Sequence, residues 1–227
     1  MIRLHIIAEG QTEEEFVNSV LAQHLADFNV LTDVHCVTTK RTKTRVYRGG
    51  LVNYEKTKND ILIWLKEDKA KEVRLTTMLD LYALPNEFPQ FDEAKKISDP
   101  YQRVTQLEMA FANDINDYRF IPYIQLHEFE ALILSNPNLL IERFPEYSIN
   151  IEQLSEFCNN YTSPELINDG ITTAPSKRII EFIPSYKGAK VSVAPLMAQK
   201  IGLETIRSKC RHFNEWLISL ENLNKAI

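Results

Sequence analysis

The sequence predicts an α/β protein: an open, mainly parallel sheet flanked by helices, followed by a mostly helical C-terminal extension. Short β-branched runs alternate with helical periodicities through residues 1–135, a pattern that demands crossover connections and hence parallel strands. From Pro137 the alternation ceases, and helical pieces are punctuated by Pro145, Pro164, Pro175, Pro184 and Pro195. The expected division is therefore an α/β domain at 1–135 and a helical extension at 136–227 packed on it.

Ile2, Leu4, Ile6 and Ile7 form the first apolar run and read as a buried strand. Gly10 stops it, and Thr12 with Glu15 three residues on has the spacing of a capping box. Phe16, Val17, Val20, Leu21 and Leu25 then recur at helical spacing. Glu9 thus ends the strand and Glu13 lies in the first helical turn, at the sheet edge where open α/β folds bind ligands. A glutamate ending a buried strand must be solvated, paired or bound to a cation, whereas Glu13 also suits the helix dipole.

Residues 30–38 read as a second strand around Val34, Cys36 and Val37. The loop after it carries Lys40, Arg41, Lys43, Arg45 and Arg48 around Tyr47, then Gly49 and Gly50. Such a segment is either a solvated loop or a track for a phosphate backbone. Residues 53–69 follow as an amphipathic helix with Ile61, Leu62, Trp64 and Leu65 on its apolar side. A third strand over 73–82 ends at Asp80, and its parallel course brings Asp80 to the edge that carries Glu9. Residues 86–100 look like a loop, and 101–116 a helix presenting Val104, Leu107, Met109 and Phe111. Arg119 to Leu126 is the fourth strand, with Pro122 favouring its start or an edge position. It runs into a helix opening with His127, Glu128 and Glu130, which either cap and solvate that helix or complete a metal site.

In the extension, Ser176, Lys177 and Arg178 open one helical piece, and Tyr186 to Lys190 read as a loop before another. Ile206, Cys210, Phe213, Trp216, Leu217 and Leu220 give a packed final helix over 202–223.

The chain has 227 residues, 44% hydrophobic and 25% charged, with a formal net charge of −5. That composition is ordinary for a water-soluble globular protein, and the acidic balance argues against a general polyanion surface. No apolar run is long enough to span a bilayer, and the first strand begins where a signal peptide would stand, so a cytoplasmic protein without membrane contact is expected. Cys36, Cys158 and Cys210 are widely spaced, as reduced buried thiols are. Phosphate-loop, dinucleotide and nucleophile-elbow motifs are absent from the sequence.

Hard divalent cations take oxygen ligands, commonly one or two carboxylates with water and substrate phosphate. Glu9, Glu13 and Asp80 with Glu128 would suit Mg²⁺ or Mn²⁺, and Lys177 or Lys187 would offset charge developing on a phosphate. Phosphodiester hydrolysis is the coherent reading, with Glu9, Asp80, Lys177 and Lys187 in the catalytic set.

Glu9-Gly10-Gln11-Thr12-Glu13, a later strand ending in Asp80 and the basic residues beyond resemble the Toprim (topoisomerase–primase) fold over residues 1–135. The likeness is greatest to nucleases of the overcoming-lysogenization-defect type. The block from Ile121 to Leu132 and the Cys210-Arg211-His212-Phe213 ending resemble an uncharacterised bacterial Toprim-like family over nearly the whole chain. That resemblance implies a Mg²⁺-dependent nuclease, acting on DNA rather than RNA, in phage defence under control of an ABC/SMC-like ATPase encoded nearby; assembly of several copies is compatible with it. Glu9, Glu13 and Asp80 match the motif acids. The second acid of the Toprim D-x-D is replaced by Tyr82, which admits the alternative of a non-catalytic sensor or regulatory subunit with a degenerate site.

Overall fold

The computed structural model describes residues 1–41, 46–48, 53–167 and 173–225, with only the backbone for 38–41 and 46–48. The chain forms two compact units, Met1–Gln125 with Ile218–Ile227, and Leu126–Leu217.

In the first unit, β1 (Ile2–Ala8) leads into a helix of α-helical α1 (Gln11–Phe16), a π-helical turn at Val17–Leu21, and α2 (Ala22–Ala26). Its start differs from the expected capping box. Gly10 is the N-cap, and Glu13, not Glu15, reaches back to accept the Gly10 N–H at 2.9 Å. Glycine has no side chain to complete the reciprocal half, so only one orphan N–H is satisfied this way. Next come β2 (Val30–Cys36), β3 (Thr38–Arg41), β4 (Val46–Arg48), α3 (Tyr54–Glu67) and β5 (Val73–Asp80). The remainder is α4 (Phe91–Ala94), α5 (Pro100–Ile115), β6 (Phe120–Ile121) and β7 (Ile124–Gln125).

The sheet is parallel in the order β2-β1-β5-β6, with β7 also pairing β5. Every residue of β5 is buried, as expected of an interior parallel strand covered on both faces. The fourth strand does lie at the edge, but Pro122 divides it. Leu75 and Thr76 pair Phe120 and Ile121, and Leu79 and Asp80 pair Ile124 and Gln125. Between them the Thr77 hydroxyl donates to the Tyr123 carbonyl at 2.9 Å and accepts the Tyr123 N–H at 3.0 Å. A side chain thereby replaces the rung that proline, lacking an N–H, cannot supply.

Because β2 and β5 lie on opposite sides of β1, right-handed crossovers put α1 and α2 on one face, α3 and α5 on the other. Accordingly, α2 packs on β2 while α3 packs on α5. Tyr54, Phe88, Phe111 and Phe120 knit the second face, with ring centroids 4.8–5.7 Å apart in edge contacts. Asn53 and Asp99 cap α3 and α5 by accepting the N–H groups of Lys56 and Gln102.

Other expectations shift. Leu62 and Met109 are exposed rather than core, because the buried stripes run through Tyr54, Thr57, Ile61 and Leu65, and through Val104, Leu107, Ala110, Phe111 and Ile115. The 86–100 stretch contains α4, entered through left-handed Gln90 at φ 57°. Within the basic stretch after the second strand, β3 and β4 form an antiparallel pair rather than a plain loop.

The second unit contains α6 (Glu130–Ile133), α7 (Ser148–Cys158), α8 (Pro175–Phe182), α9 (Tyr186–Ile201), α10 (Leu203–Lys209) and α11 (Arg211–Glu221), whose last residues count with the first unit. Wholly buried α6 is its centre, packed by α8, α9 and the 3-10 turn at Pro164–Leu166. Tyr186 to Lys190 form the first turns of α9 rather than a loop. The final helix is broken at extended Cys210 into α10 and α11. Buried Glu165 explains the break: its carboxylate accepts the N–H groups of His212 and Phe213, both at 2.9 Å, and so starts a new helix. Among the described residues, no helix is long and apolar enough to cross a membrane.

Candidate functional site

The carboxyl edge of the sheet is organised around the junction of β1 and β5. The chain passes from β1 to β2 on one side and returns to β5 on the other, so this junction is the topological switch point where open α/β sheets bind ligands. The Glu9 N–H extends the ladder by donating to the Met78 carbonyl at 2.9 Å. Its side chain then turns across the strand end, where Oε2 accepts the Asp80 N–H at 2.9 Å. Glu9 is half-buried, Asp80 and Glu13 are buried, and the Glu13 carboxylate takes the Gly10 N–H. Backbone N–H donors thus fix the orientation of Glu9 and Glu13. Tyr82 lies in the 3-10 turn Leu81–Ala83 that leaves β5.

Of the four expected metal ligands, Glu9 and Asp80 are brought together directly and Glu13 is tied to the intervening Gly10. Glu128 belongs to the second unit, where its Oε2 accepts the Ser176 N–H at 2.9 Å in the first turn of α8. Lys177 and Lys187 are exposed on α8 and α9. Lys43 and Arg45 lie outside the described residues; Lys40 and Arg41 lie on β3, and Arg48 on β4. Among the described residues, no three His, Cys, Asp or Glu side chains are gathered to hold a metal ion. The switch-point edge instead offers carboxylate oxygens from half-buried Glu9 and buried Asp80. That chemistry fits a hard cation such as Mg²⁺, which keeps several waters and takes one or two carboxylates rather than a protein cage.

A second polar centre surrounds α6. His127 precedes it in a left-handed conformation, φ 65°, costly for a non-glycine residue, and its side chain is buried. The expected helix from His127 to Leu134 therefore contracts to Glu130–Ile133. Glu130 is completely buried: the Tyr186 hydroxyl donates to its Oε1 at 3.2 Å, and the Lys190 ammonium lies 3.1 Å from Oε2, an ion pair off hydrogen-bond alignment. Tyr186 and Lys190, one helical turn apart on α9, reach the same carboxyl group. Burial pushes the Glu130 carboxyl up to about 7, with Lys190 pulling it down and Glu128 adding to the rise. Burial and the neighbouring Glu130 also raise the Tyr186 phenol. Periodicity gave no warning of this pairing, because its members are separated by more than fifty residues; the polar run at 127–130 was the only local signal.

Fold and edge together define an open, mainly parallel α/β protein with carboxylates at its switch point. The chain belongs to the DUF4276 family, a domain of unknown function, whose profile matches residues 8–221 and so spans both units. No curated protein and no solved structure matches it.

Proposed function

We propose that the protein is a divalent-cation-dependent nuclease of Toprim type, cleaving phosphodiester bonds of nucleic acid, DNA in preference to RNA. The observation that carries this reading is the hydrogen bond joining Glu9 and Asp80 at the switch point. Mg²⁺ or Mn²⁺ bound there would polarise a phosphoryl oxygen and activate water. The chain's own part is to hold Glu9 by the Asp80 N–H and Glu13 by the Gly10 N–H, so that carboxylate positions are set before substrate arrives. The basic residues of β3 and β4, Lys40, Arg41 and Arg48, supply positive charge for the phosphate backbone. Control by an ABC/SMC-like ATPase, in a phage-defence setting, rests on the resemblance at Ile121–Leu132 and at the Cys210–Phe213 ending. Copurification with a neighbouring ATPase tests that element.

The nuclease reading is tested with plasmid and oligonucleotide substrates in Mn²⁺ and Mg²⁺. Wild type is expected to cleave, with activity abolished by Glu9→Gln and by Asp80→Asn while the melting temperature is kept. Undiminished cleavage in both variants refutes the assignment. A second reading, a sensor that binds nucleic acid without cutting it, is favoured by Tyr82 standing where Toprim nucleases carry their further acid. Metal-independent binding with no cleavage, in the presence of the ATPase partner, selects it.

A further inference from the structure

The second unit holds a cavity of about 370 Å³ between the end of α7 and the segment after α6, a volume in the range of ligand pockets. Among the described residues its wall contains no carboxylate; Lys209 lines it together with the amides and hydroxyls of Asn136, Asn138, Asn159, Ser155 and Thr162. The Lys209 ammonium is fixed there by donating to the Ser135 carbonyl at 2.7 Å. Tyr161 also lines the cavity, braced at 5.3 Å by the Phe157 ring and 39% exposed. Cys158 also lies in the wall. Burial pushes its thiol up to about 12, and the charges opposing that rise, Lys209 and Arg178, are both positive. The thiol stays protonated and inert.

We infer that this cavity binds a nucleoside monophosphate, with Lys209 on the phosphate, the amides and hydroxyls on the sugar and base edges, and Tyr161 stacked on the base. One cation suits one phosphate group, charge-assisted hydrogen bonds being the strongest anchor available. Stacking on an aromatic side chain suits a base of any sequence.

The test measures binding of adenosine 5′-monophosphate to the full chain by calorimetry, in chelator so that no metal assists at the sheet edge. Adenosine and inorganic phosphate are the comparison probes. Saturable binding of the monophosphate, tighter than either comparison probe, is expected. Lys209→Met should weaken it about tenfold, the worth of one charged hydrogen bond. Since Lys209 also holds the Ser135 carbonyl, Asn138→Asp serves as a second variant; it puts a carboxylate in the wall at the start of a 3-10 turn and should abolish binding without unfolding. Binding unchanged in both variants, adenosine binding as tightly as the monophosphate, or no binding of any probe overturns the proposal.

Discussion

At the end of β5 the Asp80 N–H donates to the Glu9 side chain. This dual duty decides which substitutions are informative. Glu9→Ala leaves that N–H without its acceptor and should cost about 1–3 kcal/mol, so loss of activity in that variant would mix chemistry with stability. Glu9→Gln keeps an acceptor oxygen and should melt within a few degrees of wild type. Urea denaturation of both variants checks the contrast. Glu130 is the other residue with a measurable signature. Its carboxyl titrates near 7 in the folded state because burial favours the neutral acid, against an ordinary value of 4.5. The folded chain therefore holds the proton more tightly than the unfolded chain. The associated stability is present below about pH 4.5 and is lost as pH rises to about 7. Melting temperatures should fall over that interval, and Glu130→Gln, which keeps the neutral shape, should flatten the fall. An identical profile in the variant would mean that Glu130 does not titrate there.

Among the elements, two repairs by side chains hold the architecture. Thr77 bridges the rung lost at Pro122, so Thr77→Val should leave the Tyr123 N–H unpaired and cost about 1–3 kcal/mol in denaturant melts. Glu165 captures two N–H groups at the start of α11, so Glu165→Ala should be the harsher change, about 2–4 kcal/mol, with Glu165→Gln recovering part. These repairs mark the boundary of what local sequence reveals. The four parallel strand positions and the strand-terminal places of Glu9 and Asp80 were legible, because short β-branched apolar runs and glycine or proline stops are local signals. The Glu165 cap and the Glu130 pair were not. Their partners lie 47 and 56 residues away, and helical periodicity assigns a glutamate to solvent unless a partner overrides it. Gly10 likewise displaced Thr12 as N-cap because the strand's end, not the cap residue, sets where α1 begins.

On the scale of the whole molecule, the two units carry different chemistry. The first presents carboxylates at a switch point; the second buries a protonatable glutamate and holds a cavity whose described wall residues include no carboxylate. The family profile covers both units. The central claim is that the Glu9–Asp80 edge binds a divalent cation. Thermal melts of wild type, Glu9→Gln and Asp80→Asn, titrated with Mg²⁺ and Mn²⁺, test it most directly, since a cation that binds only the folded state raises the melting temperature by mass action. A saturable rise in wild type that is absent from both variants is the predicted result; no rise in wild type, or the same rise in all three proteins, would contradict the account.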